Sequence, residues 1–339
     1  MSRLYYRPIA MTDAARPAGA LPLAGGWCWF DRVEVLARDG ARGIIAAADL
    51  PADVAQRLSG PRAALAGLDF TVPRIMGILN VTPDSFSDGG RFDRPGAALA
   101  QARALLAAGA DILDIGGEST RPGAATVPVA DEIARTAPVI AALREAGHRA
   151  PVSIDTRKAD VARAALAAGA DLVNDVAAMG YDPLMAGLLA ETGAPVCLMH
   201  TQGTPEVMQN DPHYDDVLLD VYDHLADRIA VAEAAGIDRA RIVVDPGIGF
   251  GKTVQHNLAL VRGLSLFHGL GCVVLLGLSR KRFIGTIGGA EAADARLPGT
   301  LALTQIGLAQ GVQIHRVHDV AEIAQGLALW RAVIEGYGA

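Results

Sequence analysis

From residue 74 onward the chain alternates between two textures. Short runs rich in Val, Ile and Leu, bounded by Gly, Pro or Asp, occupy residues 74–79, 112–116, 152–155, 172–174, 196–200, 242–245, 273–279 and 314–318. Each is too short for a helix and predicts a strand. Their apolarity is nearly continuous rather than alternating, which suits parallel strands covered on both faces. Between them lie Ala- and Leu-rich stretches of helical character, among them 97–108, 131–146, 158–168 and 215–235. A single glycine follows several of these (Gly109, Gly147, Gly169, Gly236), where a left-handed cap requires one.

A repeat sets the size of the unit. LLAAGADILDIGGE at 105–118 matches ALAAGADLVNDVAA at 165–178, 60 residues later. Two strand–helix units per repeat give about 30 residues each, and eight units need about 240. The stretch from residue 74 to the last predicted helix near 334 has that length. The expected fold is therefore α/β, a (β/α)8 TIM barrel over residues 73–339 with a small N-terminal α+β extension over 1–72. An open doubly wound sheet would more often bring a GxGxxG turn, and the chain has none. In the extension, 30–36 and 43–48 predict a strand pair around Arg38-Asp39-Gly40, and 52–66 a helix. It carries no catalytic constellation; a lid on the barrel's lower end or an oligomer contact is expected of it.

Composition narrows the function classes. The 339 residues are 51% hydrophobic, enough for a large core. Thirty basic residues against 37 acidic ones leave a net charge of −7, which argues against a nucleic-acid-binding surface. No apolar run approaches the roughly 20 residues of a membrane span. The opening MSRLYYRPIAMTDAARP lacks the apolar stretch of a secretory signal. Cys28, Cys197 and Cys272 form no CxxC pair and read as buried thiols. A cytoplasmic protein with no membrane or nucleic-acid partner is expected. Of the 30 basic residues only three are lysine, Lys158, Lys252 and Lys281, each just after a predicted strand. Lysine is a compact point charge where arginine is a planar fork, so the two are not equivalent at a tight anion site.

Barrel enzymes build their sites at the C-terminal ends of the strands. Here nearly every strand ends in polar residues: Asn80, Glu118 to Arg121, Asp155 to Lys158, Asn174-Asp175, His200, Asp245 with Lys252 beyond, Ser279 to Arg282, then Arg316 and His318. One acid at a strand end is usually a helix cap. Eight polar termini around one ring are not explained that way. Charge divides them into two sub-sites. Ser279, Arg280, Lys281, Arg316 and His318 predict a place for an anion, where barrels commonly hold phosphate. Asp155, Asn174 and Asp245 predict a ligand with adjacent N–H donors, such as a 2-amino-4-oxo pyrimidine ring. Asn80 offers a neutral oxygen of the kind Mg2+ accepts beside substrate phosphates. GFGKT at 249–253 is not a Walker loop, because Pro246 stands where a glycine is required. The histidines show no zinc-ligand spacing.

Seven motifs occur in series: ILNVTPDSFSDG (78–89), GGESTRPGA (116–124), SIDTRK (153–158), ND (174–175), DPGIGFGK (245–252), SRK (279–281) and RVHDV (316–320). Together they make the sequence similar to the dihydropteroate synthase family, pterin-binding TIM barrels. The resemblance implies condensation of 6-hydroxymethyl-7,8-dihydropterin diphosphate with p-aminobenzoate. It implies that Asp155, Asn174, Asp245 and Lys281 hold the pterin, and that Thr120, Arg316 and His318 meet the diphosphate. Asn80 would ligate Mg2+, while Arg121, Phe250, Ser279 and Arg280 would lie toward p-aminobenzoate. Asp155, Lys281 and Arg316 would carry the catalysis, segments 81–93 and 119–127 would be mobile, and a homodimer is common among such proteins. Two positions depart from the pattern. Arg282 stands where a small residue is frequent, and Thr201 replaces a commoner Met. Rival readings are a pterin-dependent methyltransferase domain, which would not need the Lys281, Arg316 and His318 cluster, and a pterin-binding paralogue without turnover.

Overall fold

The computed structural model describes residues 3–81, 94–119, 124–203 and 207–336. The N-terminal part contains β1 (Tyr5–Pro8), β2 (Leu21–Pro22), β3 (Trp29–Phe30), β4 (Arg32–Leu36), β5 (Gly43–Ala46) and helix α1 (Ala52–Ser59). β4 and β5 form the expected antiparallel pair, and β1 adds a third strand on the other edge with Tyr5 opposite Leu36. The helix ends at Ser59 instead of running to 66. Gly60 precedes Pro61, a position pushed out of the helical region, and it sits at φ −59°, ψ 136°.

The eight predicted strands follow as β6 (Arg74–Asn80), β7 (Ile112–Gly116), β8 (Val152–Asp155), β9 (Leu172–Asp175), β10 (Val196–Met199), β11 (Ile242–Asp245), β12 (Val273–Leu276) and β13 (Ile314–Val317). Each pairs in parallel with its neighbours, and β13 closes onto β6 with Arg316 opposite Met76. Around this barrel run α2 (Arg94–Ala107), α3 (Val129–Glu145), α4 (Ala159–Ala167), α5 (Met185–Thr192), α6 (Val217–Ala234), α7 (Val254–Arg262), α8 (Arg282–Gly288), α9 (Leu297–Ala309) and α10 (Val320–Glu335). The fold is the expected (β/α)8 barrel. β12 and β13 stop before 279 and 318, because the chain leaves the ladder there to build the rim.

Each strand has two buried faces. Leu113, Ile115, Ile154, Val173, Val244 and Val274 pack outward against the helices. Met76, Ile112, Leu172, Cys197, Val243, Val273 and Ile314 pack inward, and Leu65 and Phe70 join them from the N-terminal segment. Segment 65–70 therefore closes the lower end of the barrel. Trp27 Nε1 donates to the Leu308 carbonyl at 2.8 Å, and Arg38 pairs with Asp220 and Asp223 at 2.7 Å, fastening the segment to the outer helices.

Candidate active site

Two residues above the inward apolar layer, the same faces turn polar: Ile112 leads to Asp114, Leu172 to Asn174, Val243 to Asp245 and Ile314 to Arg316. Asp114, Asn174 and Asp245 are all buried. Arg316 Nε donates to Asp114 Oδ2 at 2.6 Å, and Arg316 Nη2 donates to Asp155 Oδ2 at 2.7 Å. Asn174 Nδ2 donates to the same Asp114 oxygen at 3.2 Å. Asp114, a carboxylate that sequence reading missed inside the run ILDIG, thus joins Arg316 to Asn174, and Arg316 in turn joins Asp155.

This corrects the expected separation of the two sub-sites. Arg316 does not stand on a cationic flank; it lies between two carboxylates. The reason is strand parity, which sends Arg316 into the barrel at the height of Asp114. Burial alone would lower the pKa of the guanidinium, yet Asp114 and Asp155 hold it above the ordinary value. Burial pushes the Asp155 carboxyl up against the pull of Arg316, and the Asp114, Glu132 and Asp175 carboxylates push the same way. The second oxygens of Asp114 and Asp155 are buried with no hydrogen-bond partner among the described residues. Such acceptors are costly to bury and are suited to a ligand that brings donors.

Two glycines keep the centre open. A Cβ on Gly116 would come 3.6 Å from Asp155 Oδ2 and 3.8 Å from Asn80 Oδ1. A Cβ on Gly277 would lie 3.5 Å from Asp245 Oδ2 and 3.9 Å from Arg316 Cδ. Asn80 and Asp155 therefore flank one gap, and Asp245 and Arg316 another.

The turn after β11 builds the opposite wall. Asp245 Oδ1 accepts from Gly247 N at 2.7 Å, and burial raises its pKa against the opposing pull of that bond, Lys281 and Arg316. A Cβ on Gly247, at φ +68°, would meet the His200 carbonyl oxygen at 1.8 Å, so glycine is obligatory there. Lys281 Nζ sits 3.9 Å from the centroid of the Phe250 ring, a cation–π contact. Lys252, expected beside the acidic sub-site, is engaged beneath this turn. Its Nζ lies 2.9 Å from both His200 Nδ1 and the Phe250 carbonyl oxygen, and burial lowers its pKa to about 7.

Ser279 Oγ accepts from His318 N at 3.2 Å and lies 3.0 Å from His318 Nδ1. Burial, then Arg316 and Arg280, depress the His318 pKa to about 3, so the ring is neutral. Arg280 holds φ +58° and grips Asp319 through Nε at 2.9 Å and through Nη2. Asp175, paired with Asn174 in the motif, turns away and accepts from Ala177 N and Met179 N. Thr120 and Arg121 lie outside the described residues, as do 82–93 and 120–123 of the two segments expected to be mobile.

Residues 76–318 match the family described as pterin binding enzyme. This chain belongs to the dihydropteroate synthase family. Within it, the enzyme of Escherichia coli strain K12 is 43% identical over 267 residues, 79% of this chain and 94% of that one. The dihydropteroate synthase of Neisseria meningitidis serogroup B is 47% identical over 272 residues, with the same coverage of each. Among solved structures, Xanthomonas albilineans dihydropteroate synthase with 4-aminobenzoic acid superposes with a TM-score of 0.76 at 47% identity, covering 80% of this chain and 98% of that one. The same enzyme in complex with 7,8-dihydropteroate gives 0.73 at 45% identity, with the same coverage. The family match starts at residue 76, so the segment that closes the lower barrel lies outside it.

Proposed function

We infer that this chain is a dihydropteroate synthase, joining 6-hydroxymethyl-7,8-dihydropterin diphosphate to p-aminobenzoate. The C–O bond from the pterin methylene to the diphosphate breaks and a C–N bond to the arylamine forms. The amine loses a proton, and 7,8-dihydropteroate and diphosphate leave. The observation that carries this reading is the buried Asp155–Arg316–Asp114–Asn174 network with two carboxylate oxygens lacking donors. A pterin edge presents adjacent N–H donors that suit Asp155, Asn174 and Asp245. Lys281 and Arg316 would meet negative charge growing on the leaving group, and neutral His318 can donate one hydrogen bond to it. Asp155 would stabilise positive charge at the methylene. The arylamine is nucleophilic when neutral and enters from the side of Phe250, Ser279 and Arg280.

Asn80 fits Mg2+ that arrives with the substrate. Its amide oxygen flanks the Asp155 gap, and no group of three or more His, Cys, Asp or Glu side chains among the described residues is placed to hold a metal. A single hard oxygen suits an ion whose other ligands are water and phosphate oxygens. When bound, Mg2+ would supply Lewis-acid stabilisation of the departing diphosphate.

Three free, buried cysteines fit the reducing cytoplasm, and no helix among the described residues is long and apolar enough to cross a membrane. A homodimer through the outer faces of α9 and α10 fits the exposed Ile306, Leu329 and Val333. Incubation with both substrates should release diphosphate and dihydropteroate with Mg2+ present, and much less after chelation. A methyl-transferring domain or a paralogue that only binds pterin would release none.

A further inference from the structure

Lys252 ends the GFGK run beyond β11, is buried, and takes no part in the chemistry above. The turn from Pro246 to Gly251 that precedes it is held by four side chains. Gly249 N donates to Asn257 Oδ1 at 2.7 Å, and the Gly249 carbonyl oxygen accepts from Gln209 Nε2 at 2.8 Å. The Phe250 carbonyl oxygen accepts from Lys252 Nζ at 2.9 Å, and that of Gly251 from Tyr214 Oη at 2.7 Å. Lys252 Nζ also lies 2.9 Å from His200 Nδ1 and 3.4 Å from the His200 carbonyl oxygen, at the exit of β10. It therefore staples the turn to the neighbouring strand end. Burial depresses the His200 pKa to about 2, so the ring is neutral and brings no charge against the ammonium.

The turn is shaped as a cradle for Lys281. A Cβ on Gly249, at φ +84°, would meet Lys281 Cδ at 3.0 Å, Cε at 3.5 Å and Nζ at 3.6 Å. The lysine stem thus lies along a bare α-carbon, and its ammonium ends 3.9 Å from the centroid of the Phe250 ring. Lys281 is near enough to Asp245 to pull that carboxyl's pKa down against burial. Contacts run without a break from Lys252 through the Phe250 backbone and ring to the Lys281 ammonium. A lysine is a point charge on a flexible four-carbon stem, so its place depends on what flanks it. A shift of about 1 Å in such a group can cost about a hundredfold in rate.

We propose that Lys252 is a positioning residue, holding the 246–251 turn against the exit of β10 so that Gly249 and Phe250 keep the Lys281 ammonium in place. That Lys281 acts on the pterin diphosphate rests on the synthase reading. Two substitutions loosen the turn in different ways. Lys252→Met removes the donor and its charge, whereas Tyr214→Phe removes only the hydroxyl that holds Gly251. Each is made in the unmodified protein and in Lys281→Met, with melting curves read alongside steady-state kinetics so that only folded enzyme is counted. In the unmodified background kcat/KM for the pterin diphosphate should fall about tenfold in Lys252→Met and about threefold in Tyr214→Phe. In Lys281→Met both falls should shrink below about twofold, because the group being positioned is gone. Equal falls in both backgrounds, or none in either, overturn the proposal. If Lys252→Met does not fold, the Tyr214→Phe pair decides.

A second readout needs no turnover. The chain has three lysines, so labelling lysine Cε with carbon-13 gives three ε-methylene signals in an NMR spectrum, and Lys281→Met identifies one of them. The ring current of Phe250 should set the Lys281 protons upfield, and either loosening variant should move them back. An unchanged position overturns the proposal. Should the unmodified protein release no diphosphate, the synthase reading fails on its own and these signals decide the positioning.

Discussion

The two halves of the barrel interior come from the same strands and behave in opposite ways. In the lower half, Met76, Ile112, Leu172, Val243 and Ile314 meet Leu65 and Phe70 in wholly apolar packing. Two residues higher stand Asp114, Asn174, Asp245 and Arg316, with acceptor oxygens on Asp114 and Asp155 that no described residue satisfies. Burial in the lower layer stabilises the fold at about 25 cal/mol per Å2 of apolar surface. Burial in the upper layer opposes folding unless charges pair and hydrogen-bond. The lower layer holds the barrel shut; the upper layer tolerates unfavourable burial so that a ligand can complete it.

Exchanging one residue at each level should separate the two. Asp155→Asn keeps the shape and removes the charge, and kcat should fall about a thousandfold, or about 4 kcal/mol of transition-state stabilisation. Its melting temperature should barely move, because burial already disfavours the carboxylate. A kcat left intact would remove Asp155 from the chemistry. Phe70→Ala should do the reverse, costing about 3 kcal/mol in urea unfolding while kcat/KM of the folded enzyme stays unchanged. Loss of turnover in that variant would show that the plug shapes the rim as well.

Gly277→Ala sharpens the contrast within the upper layer. The new methyl would sit at ordinary van der Waals distance from Asp245 and Arg316, so the fold should survive. It would occupy the gap assigned to the pterin, and KM for the pterin diphosphate should rise about tenfold with melting unchanged. An unaltered KM would mean that the ring lies elsewhere.

Most of this architecture is legible in the sequence, for a physical reason. Parallel barrel strands are covered on both faces, so each leaves a nearly continuous Val, Ile and Leu run. β1 was not legible: Tyr5-Tyr6-Arg7-Pro8 has no such run, and pairing with β4 and the Tyr5 Oη bond to Asp223 hold it in place. The rim acids were legible as polar strand ends. Asp114 was hidden because it sits mid-run, though counting by twos from Ile112 places it inward, level with Arg316. Glu132 was hidden because an acid in the first turn of a helix reads as a complement to the helix dipole. That Arg316 lies between Asp114 and Asp155 depends on contacts spanning 202 and 161 residues, beyond any local pattern.

The smallest effect concerns a histidine that faces away from the site. His315 precedes Arg316 and points to the helices, with Nε2 at 3.1 Å from the Val312 carbonyl oxygen. Burial depresses its pKa from 6.5 to about 4, as it depresses His200 to about 2 and His268 to about 3. Below pH 6.5 the unfolded chain gains protons that these folded rings refuse, so their contribution is present above 6.5 and is lost as pH falls toward the folded values. Asp175, raised by burial to about 6, works with the opposite sign: the folded state takes up its proton first and regains stability in the same range. His315→Gln removes one term of the first kind. Unfolding free energies at pH 7 and pH 6 should then differ by about 0.7 kcal/mol less than in the unmodified protein. The pH profile of kcat should not change, because this ring touches only the outer layer. A shifted kcat profile would mean that protonation behind β13 reaches Arg316, and that the two faces of the strand are coupled.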